Sequence, residues 1–216
     1  MSTMRVSVVI PCYNESQTIG NLVKRIRSLS ADFEILAIDD GSSDNTAEEA
    51  ARAGATVYRH PYNIGNGAAV KTGIRKASGD VLVFMDADGQ HDPQDIQRLM
   101  EHLPEYDMVV GSRSLQGQAS MLRGLGNKAY NMLASYVTKI RVMDLTSGFR
   151  AIKADIAKSF IYLLPNTYSY PTTITLGVMR SGLSVKYVPI EVRRREKGAS
   201  NINLIGDGVR FFMIIT

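Results

Sequence analysis

Short apolar runs rich in β-branched residues alternate with amphipathic stretches through the first half of this 216-residue chain. Runs of this kind are typical of buried strands, and apolar residues three and four apart are typical of helices that cover a sheet. The predicted strands span 5–11, 34–40, 55–60, 80–86 and 107–113, and the predicted helices span 18–29, 45–54, 65–79 and 93–103. This alternation predicts an α/β fold with a Rossmann-like, mainly parallel twisted sheet and helices on both faces.

The second half is less regular. It predicts a helix over 121–140, a loop, short strand and helix start over 144–156, a helix over 169–183 and a strand over 184–196. Asp92 is the expected N-cap of the 93–103 helix. Length and a 44% hydrophobic content fit one domain, assigned to residues 1–208. Residues 209–216, VRFFMIIT, predict either an ordinary terminal element or the start of a longer apolar segment.

The net charge and the cysteine count place limits on the ligands and on the covalent cross-links of this chain. The net charge of +4 is too small to argue for nucleic acid, whereas anionic small molecules or lipid headgroups would suit it. One cysteine allows no internal disulfide. No run of eighteen apolar residues occurs, so the sequence predicts no membrane-spanning helix.

Polar clusters follow the five predicted strands of the first half. In order they are PCYNE, DDGSSDNT, HPYNIGNG, DADGQHD and GSR. Ligands of open α/β sheets bind outside the carboxyl ends of the strands, and those ends share one edge. The five clusters therefore predict a ligand site at that edge.

The fourth cluster offers metal ligands. Asp86 and Asp88 are separated by one residue where a strand ends, and Gln90 adds a neutral oxygen. Oxygen ligands suit Mg²⁺ or Mn²⁺, which retain waters and bridge to substrate phosphates. Two aspartates also suit a turn or a helix cap, but the strand-end position favours the metal interpretation. The position of His91 suits a metal ligand or a base, and it suits a solvent-facing turn residue at least as well.

Other polar residues at the edge have competing interpretations. Gly65 and Gly67 would let a ligand approach backbone N–H groups, and Lys71 would point either at the site or at solvent. Asp39 and Asp40 are candidate acceptors for a base edge or for ribose hydroxyls.

Cys12 has no local general base, so we interpret it as a packed small residue rather than a nucleophile.

Arginines supply the expected phosphate contacts, because guanidinium groups bind phosphate oxygens in a bidentate manner. Arg113 ends the fifth strand and Arg123 follows ten residues later. In the run 193–195 we interpret Arg193 and Arg194 as a solvated strand edge. The glycine-containing EKGASN segment after this run predicts a loop that closes over a diphosphate.

Taken in order, P-C-Y-N-E, D-D-G-S-S-D-N-T, N-x-G-x-G, D-A-D-G-Q-H-D-P, G-S-R, D-L-T-S-G-F-R and R-x-x-G-x-S resemble family 2 glycosyltransferases of the GT-A fold. Within that family the sequence is most similar to dolichol-phosphate mannose synthases and related polyprenyl-phosphate glycosyltransferases. The resemblance covers about residues 5–201. Each motif alone is modest, but their order is highly specific.

The resemblance implies a role for each matching residue. The nucleotide sugar would be bound by Pro11, Tyr13, Glu15, Asp39, Asp40, Asp86, Ala87, Arg113 and Arg195. The metal would be bound by Asp86, Asp88 and Gln90. The lipid phosphate would be bound by Arg113 and Arg123, and Asp88, Asp144 and Arg113 would be catalytic. Asn201 departs from the pattern, because the family commonly has a phosphate-binding lysine there; Lys197 is the candidate substitute.

The implied reaction is an inverting transfer from GDP-mannose or UDP-glucose to a polyprenyl or dolichyl phosphate, at the cytoplasmic face of a membrane. Attachment to the membrane would be peripheral or through the C-terminal apolar segment. A related transferase acting on a hydroxyl acceptor would instead need a general base, for which Asp144 is the candidate. A nucleotidyltransferase and a non-catalytic nucleotide-binding protein are the remaining alternatives.

Overall fold

A computed structural model describes residues 4–113, 131–132, 134–136, 142–167 and 169–193. The strands are β1 (Val6–Cys12), β2 (Glu34–Asp39), β3 (Thr56–Arg59), β4 (Val81–Phe84), β5 (Met108–Arg113), β6 (Arg150–Lys153) and β7 (Val185–Ile190). The helices are α1 (Ile19–Leu29), α2 (Thr46–Arg52), α3 (Asn66–Lys76), α4 (Asp95–Met100), α5 (Ala154–Ser159) and α6 (Tyr170–Arg180), with a 3₁₀ turn at Ile161–Leu163. In these residues the strands form one sheet in the order β3-β2-β1-β4-β6-β5-β7.

The central strand β1 shows why the sheet is covered on both faces. All seven of its residues are buried. Val8 and Ile10 join one core with Ile26 of α1, whereas Val9 joins the opposite core with Val70 of α3. Burying each such side chain contributes about 1.5–3 kcal/mol. The predicted sheet with helices on both faces is confirmed.

Strand β6 is the exception to parallel pairing. It runs antiparallel to both β4 and β5, while β5 and β7 are parallel. The sequence predicts this short strand but not its direction. Because β6 runs against its neighbours, the segment that precedes it, residues 142–149, lies where β4 and β5 end.

Asp92 caps the turn that leads into the fourth helix rather than the helix itself, because its Oδ1 accepts from the Gln94 amide at 3.0 Å. Helix α4 begins at Asp95, after a turn in which the Asp95 amide donates to the Asp92 carbonyl over 3.1 Å. The Asp92 carboxylate also accepts hydrogen bonds from Arg25 at 2.8 Å and Arg193 at 2.6 Å. It therefore joins α1 to the chain that follows β7.

Several predictions fall beyond the described ranges. Of the 121–140 helix, residues 131–132 and 134–136 are described and are helical. The segment 209–216 lies outside the described residues. Among the helices that are described, none has the length and apolar character needed to cross a membrane.

Asp107 connects the strands β5, β6 and β7 at the edge opposite the polar clusters. It accepts hydrogen bonds from Lys153 at 2.8 Å and from the Ser184 amide and hydroxyl at 2.9 and 2.8 Å. The Lys153 hydrogen bond is the main cause that lowers the pKa of Asp107 to about 2, followed by the Ser184 amide.

We expect Asp107→Asn to lower the free energy of unfolding by about 1 kcal/mol at pH 7, since a partly exposed, charge-assisted contact is lost. The pKa is depressed in the folded state, so this contribution is complete above the unfolded pKa of about 3.9 and disappears as the pH falls through about 2. Urea unfolding at pH 7 and pH 2 measures both differences. Asp32→Asn, at an exposed position, is the control. An equal loss of unfolding free energy at both pH values would contradict the assignment of this contribution to the ionised Asp107 carboxylate.

Candidate active site

The polar clusters meet at one edge of the sheet, as predicted. In the parallel register Cys12 pairs with Asp39, and Asp39 pairs with Arg59. The Met85 amide donates to the Val9 carbonyl, which places Asp86 just beyond the same edge. Arg113 ends β5 on the other side of the antiparallel strand.

The loop after β1 is fastened to the turn after β2. The Asn14 amide donates to the Ser42 hydroxyl at 2.9 Å, and the Asn14 side-chain oxygen accepts from the Ser43 amide at 2.9 Å. The Glu15 amide donates to Thr46 Oγ1 at 2.8 Å. Asn14 has a φ of 55°, a left-handed conformation that asparagine tolerates. The loop that carries Pro11, Tyr13 and Glu15 is therefore held in one position, with Pro11 buried and Tyr13 exposed.

Asp39 and Asp40 bind protein groups in this structure. Asp39 is fully buried, accepts from the Ser42 amide and hydroxyl, and lies 3.2 Å from Arg59 Nε. Asp40 accepts from the amides of Ile64 and Gly65 at 3.0 and 2.7 Å. These bonds hold both carboxylates in place, and their nucleotide role stays a prediction.

His60 is a residue that the sequence interpretation missed. Its Nδ1 lies 2.7 Å from Asp40 Oδ1 and its Nε2 lies 2.9 Å from Thr72 Oγ1. It thereby connects the end of β2 to helix α3. The sequence signal for His60 is its position at the start of the third polar cluster, HPYNIGNG.

The prediction that Gly65 and Gly67 admit a ligand is corrected. A Cβ at Gly65 would lie 2.3 Å from the Asn166 carbonyl, and one at Gly67 would lie 2.1 Å from the Pro165 carbonyl. The Ala68 amide donates to Asn166 O at 3.2 Å. The glycines therefore admit a neighbouring backbone segment. Lys71, predicted to face the site or solvent, donates instead to the Leu164 carbonyl at 3.1 Å and to the Asn166 side chain.

The end of β4 carries the candidate metal ligands. Asp86 and Asp88 are partly buried, and Ala87 between them is buried. Asp88 Oδ1 accepts from the Gln90 amide at 3.1 Å, so the turn interpretation also holds. The Gln90 side-chain nitrogen donates to the Arg193 carbonyl at 3.2 Å.

This donor set fits a hard divalent cation. In the described part of the chain, no group of three or more His, Cys, Asp or Glu residues could hold a metal. The ligands that the resemblance implies are the two carboxylates of Asp86 and Asp88 and the amide oxygen of Gln90. The remaining positions would belong to water and substrate phosphates, which is the usual arrangement for Mg²⁺.

His91 is buried, so its interpretation as a solvent-facing turn residue is wrong. Its ring stacks on Phe149, with the centroids 5.1 Å apart. Burial is the main cause that lowers the pKa of His91 to about 4, although the nearby Asp88 charge opposes it. His91 also pairs with Val192 in an antiparallel bridge, which ties the loop after β4 to the chain after β7.

The interpretation of Cys12 as a packed residue is confirmed. Its side chain is buried and free of disulfide bonds. Burial, reinforced by the charge of Asp39, raises the pKa of the Cys12 thiol far above its usual range, so little thiolate forms.

Arg113 and Asp144 form a bidentate ion pair. Arg113 Nε and Nη2 donate to the two Asp144 oxygens at 2.8 and 2.9 Å, and Nη2 also donates to Thr146 Oγ1 at 2.6 Å. Burial alone would raise the pKa of the Asp144 carboxyl, but the hydrogen bonds and charge of Arg113 outweigh it and lower the pKa. Asp144 is therefore a stable anion and a weak base.

Two of the predicted phosphate ligands, Arg123 and Arg195, lie outside the described residues, as do Arg194, Lys197 and Asn201. Arg193 is described and is 57% exposed in its side chain. It forms an ion pair with Asp92, so the interpretation of a merely solvated edge is incomplete.

Comparisons with known proteins identify the class. Residues 7–160 match the family glycosyl transferase family 2, so the chain belongs to that family and is a glycosyltransferase. It is 30% identical to an undecaprenyl-phosphate mannosyltransferase of Micrococcus luteus over 95% of this chain and 91% of that protein. It is 33% identical to an undecaprenyl-phosphate 4-deoxy-4-formamido-L-arabinose transferase of Pectobacterium carotovorum, over 82% of this chain but only 59% of that longer protein.

A solved structure confirms the GT-A fold. Glucosyl-3-phosphoglycerate synthase from Mycobacterium tuberculosis, crystallised with Mn²⁺, UDP and glucosyl-3-phosphoglycerate, superposes with a TM-score of 0.76. The match has 22% identity and covers 99% of this chain and 78% of that one.

The corrected role of Gly67 predicts a stability effect. We expect Gly67→Ala to lower the free energy of unfolding by about 1–3 kcal/mol, because the methyl group would press on backbone carbonyls that cannot move independently. Chemical denaturation measures the loss. Gly20→Ala is the control, since its nearest neighbours lie 3.7 Å away. Unchanged stability with weakened nucleotide binding would instead support the ligand interpretation.

Proposed function

We propose that this enzyme transfers a sugar from a nucleoside-diphosphate sugar to a polyprenyl or dolichyl phosphate, with dependence on Mg²⁺ or Mn²⁺. GDP-mannose and UDP-glucose are the candidate donors. An acceptor phosphate oxygen attacks the anomeric carbon, the bond to the nucleoside diphosphate breaks, and the configuration inverts. The reaction would take place at the cytoplasmic face of a membrane, to which the protein attaches peripherally or through the segment that begins at residue 209.

The state of Asp144 carries this proposal. Both of its oxygens are bonded by Arg113, and its pKa is lowered. A hydroxyl acceptor needs a general base that can bond to the hydroxyl proton, whereas both Asp144 oxygens are bonded by Arg113 in this structure. A phosphate acceptor is already an anion and needs no base. The shared acceptor in the names of the two bacterial relatives supports the same choice.

Each predicted site residue has a place in the proposal. Pro11, Tyr13, Glu15, Asp39, Asp40 and Ala87 would line the nucleotide. Asp86, Asp88 and Gln90 would hold the divalent cation, which when bound stabilises the charge of the leaving diphosphate. Arg113, with Asp144 fixing its orientation and 29% of its side chain exposed, would contact phosphate. Arg123 would join it at the acceptor, and Arg195 at the donor diphosphate.

Calorimetric titration with GDP and with UDP, each in Mn²⁺ and again in EDTA, tests the donor site. We expect one nucleotide to bind, and to bind much more weakly in EDTA, because a cation held by Asp86, Asp88 and Gln90 would neutralise charge on the diphosphate. Asp86→Asn should reproduce the EDTA result in the presence of Mn²⁺. Asp32→Asn, at an exposed position, is the charge-matched control. Binding of neither nucleotide by the wild type would contradict the proposed function.

Asp144→Asn distinguishes the two acceptor classes. With a polyprenyl phosphate we expect kcat/KM to fall about 10- to 100-fold, since the charge-assisted bonds that orient Arg113 are weakened. The shape of the pH–rate profile should stay the same, because no base is removed. A loss of the acidic limb of the profile, with a hydroxyl acceptor as the better substrate, would favour the base-catalysed alternative.

A further inference from the structure

The segment Ser147–Gly148–Phe149 has no role in the function proposed so far, yet it lies against a candidate metal ligand. In the antiparallel β4–β6 ladder Phe84 pairs with Arg150. Extending that register by two residues places Asp86 opposite Gly148. Residues directly opposite in an antiparallel pair share one face of the sheet and lie side by side. The Asp86 carboxylate is therefore expected to lie over the Gly148 backbone.

The atoms nearest to a side chain built at Gly148 are those that the extended register predicts. A Cβ built at Gly148 would lie 2.6 Å from Asp86 Oδ2, 3.2 Å from Cγ and 3.3 Å from Oδ1. Gly148 is not among the glycines with positive φ. Its backbone conformation is thus open to any residue, and the nearest obstacle to a side chain is the Asp86 carboxylate.

Arg150 keeps this segment in place. Its side chain is fully buried, and it donates to the Ser147 carbonyl, to the Pro171 carbonyl at 2.9 Å and to Thr175 Oγ1 at 2.9 Å. These bonds fix the chain just before Gly148 against helix α6. The guanidinium carbon also lies 6.0 Å from the centre of the Tyr170 ring.

Arg150 also places positive charge near Asp86. As the diagonal neighbour of Asp86 in the ladder, it is within reach of a long side chain. All three acceptors of its hydrogen bonds are uncharged groups, and its Nε has no hydrogen-bond partner in the described residues. A buried cation without a bonded carboxylate is attracted to nearby anions in the low-dielectric interior. Asp86 is thereby drawn towards the side of the strand where Gly148 leaves room.

We propose that Gly148 is a positioning residue for the metal ligand Asp86: the missing side chain provides the space in which the carboxylate lies, and Arg150 holds that space open. This inference rests on the metal dependence of the proposed function. A side chain at position 148 would rotate the Asp86 carboxylate away while leaving the fold intact, since a carboxylate end can move where a backbone cannot.

Gly148→Ala tests the inference through metal affinity rather than activity alone. Mn²⁺ binding is measured by electron paramagnetic resonance of the free ion, with GDP or UDP present at saturation. We expect the variant to bind Mn²⁺ about 10- to 100-fold more weakly, the usual effect of disturbing a group that orients a metal ligand. Its melting temperature should stay close to that of the wild type. Gly20→Ala, whose methyl group meets only ordinary contacts at 3.7 Å, should leave the Mn²⁺ affinity unchanged.

A second readout separates positioning from structural damage. If the carboxylate is only displaced, raising the Mn²⁺ concentration restores kcat of Gly148→Ala, whereas a damaged site stays slow at any concentration. Wild-type Mn²⁺ affinity in Gly148→Ala, or an equal loss in Gly20→Ala, would overturn the positioning role and leave the proposed function intact. Absence of Mn²⁺ binding by the wild type would overturn the metal dependence itself.

Discussion

The antiparallel pairing of β6 between β4 and β5 is the constraint on which the site depends. Every other described strand runs in one direction, so its carboxyl end supplies the polar cluster that follows it. Strand β6 runs the opposite way, and the residues before it reach the same edge. This reversal brings Asp144 to Arg113 and Gly148 to Asp86. A parallel β6 would place these residues at the far edge of the sheet.

Partners within the protein offset the buried charge of the site. Removing a carboxylate from water costs several kcal/mol unless it is paired and hydrogen-bonded. Asp144 meets this condition through Arg113, and Asp40 meets it through two backbone amides and His60. Asp86 and Asp88 remain partly exposed. The edge thus combines fixed carboxylates that shape the site with accessible ones that suit a cation, and this division was not visible in the sequence.

Local pattern predicted most of the elements, because strand and helix periods are properties of neighbouring residues. The errors arose from contacts between distant parts of the chain. For Gly67 the sequence suggests a ligand position, since a glycine does not reveal whether a ligand or the Pro165 carbonyl approaches it. For His91 the Asp-Pro that follows suggests an exposed turn, while its stacking partner Phe149 is far along the chain. A four-residue strand such as β6 carries no signal of its direction.

Arg150 connects the stability of the fold to the electrostatics of the site. Functional carboxylates are commonly a cost to stability, because like charges are held together away from water. Here burial lowers the pKa of Arg150, while Tyr170, Tyr187, Asp144 and Asp86 act in the opposite direction. The attraction is mutual: a buried cation that lacks a bonded carboxylate is stabilised by the nearby anions, and their repulsion is reduced by the cation. The negative charge at this edge therefore supports the burial of Arg150 between β6 and α6.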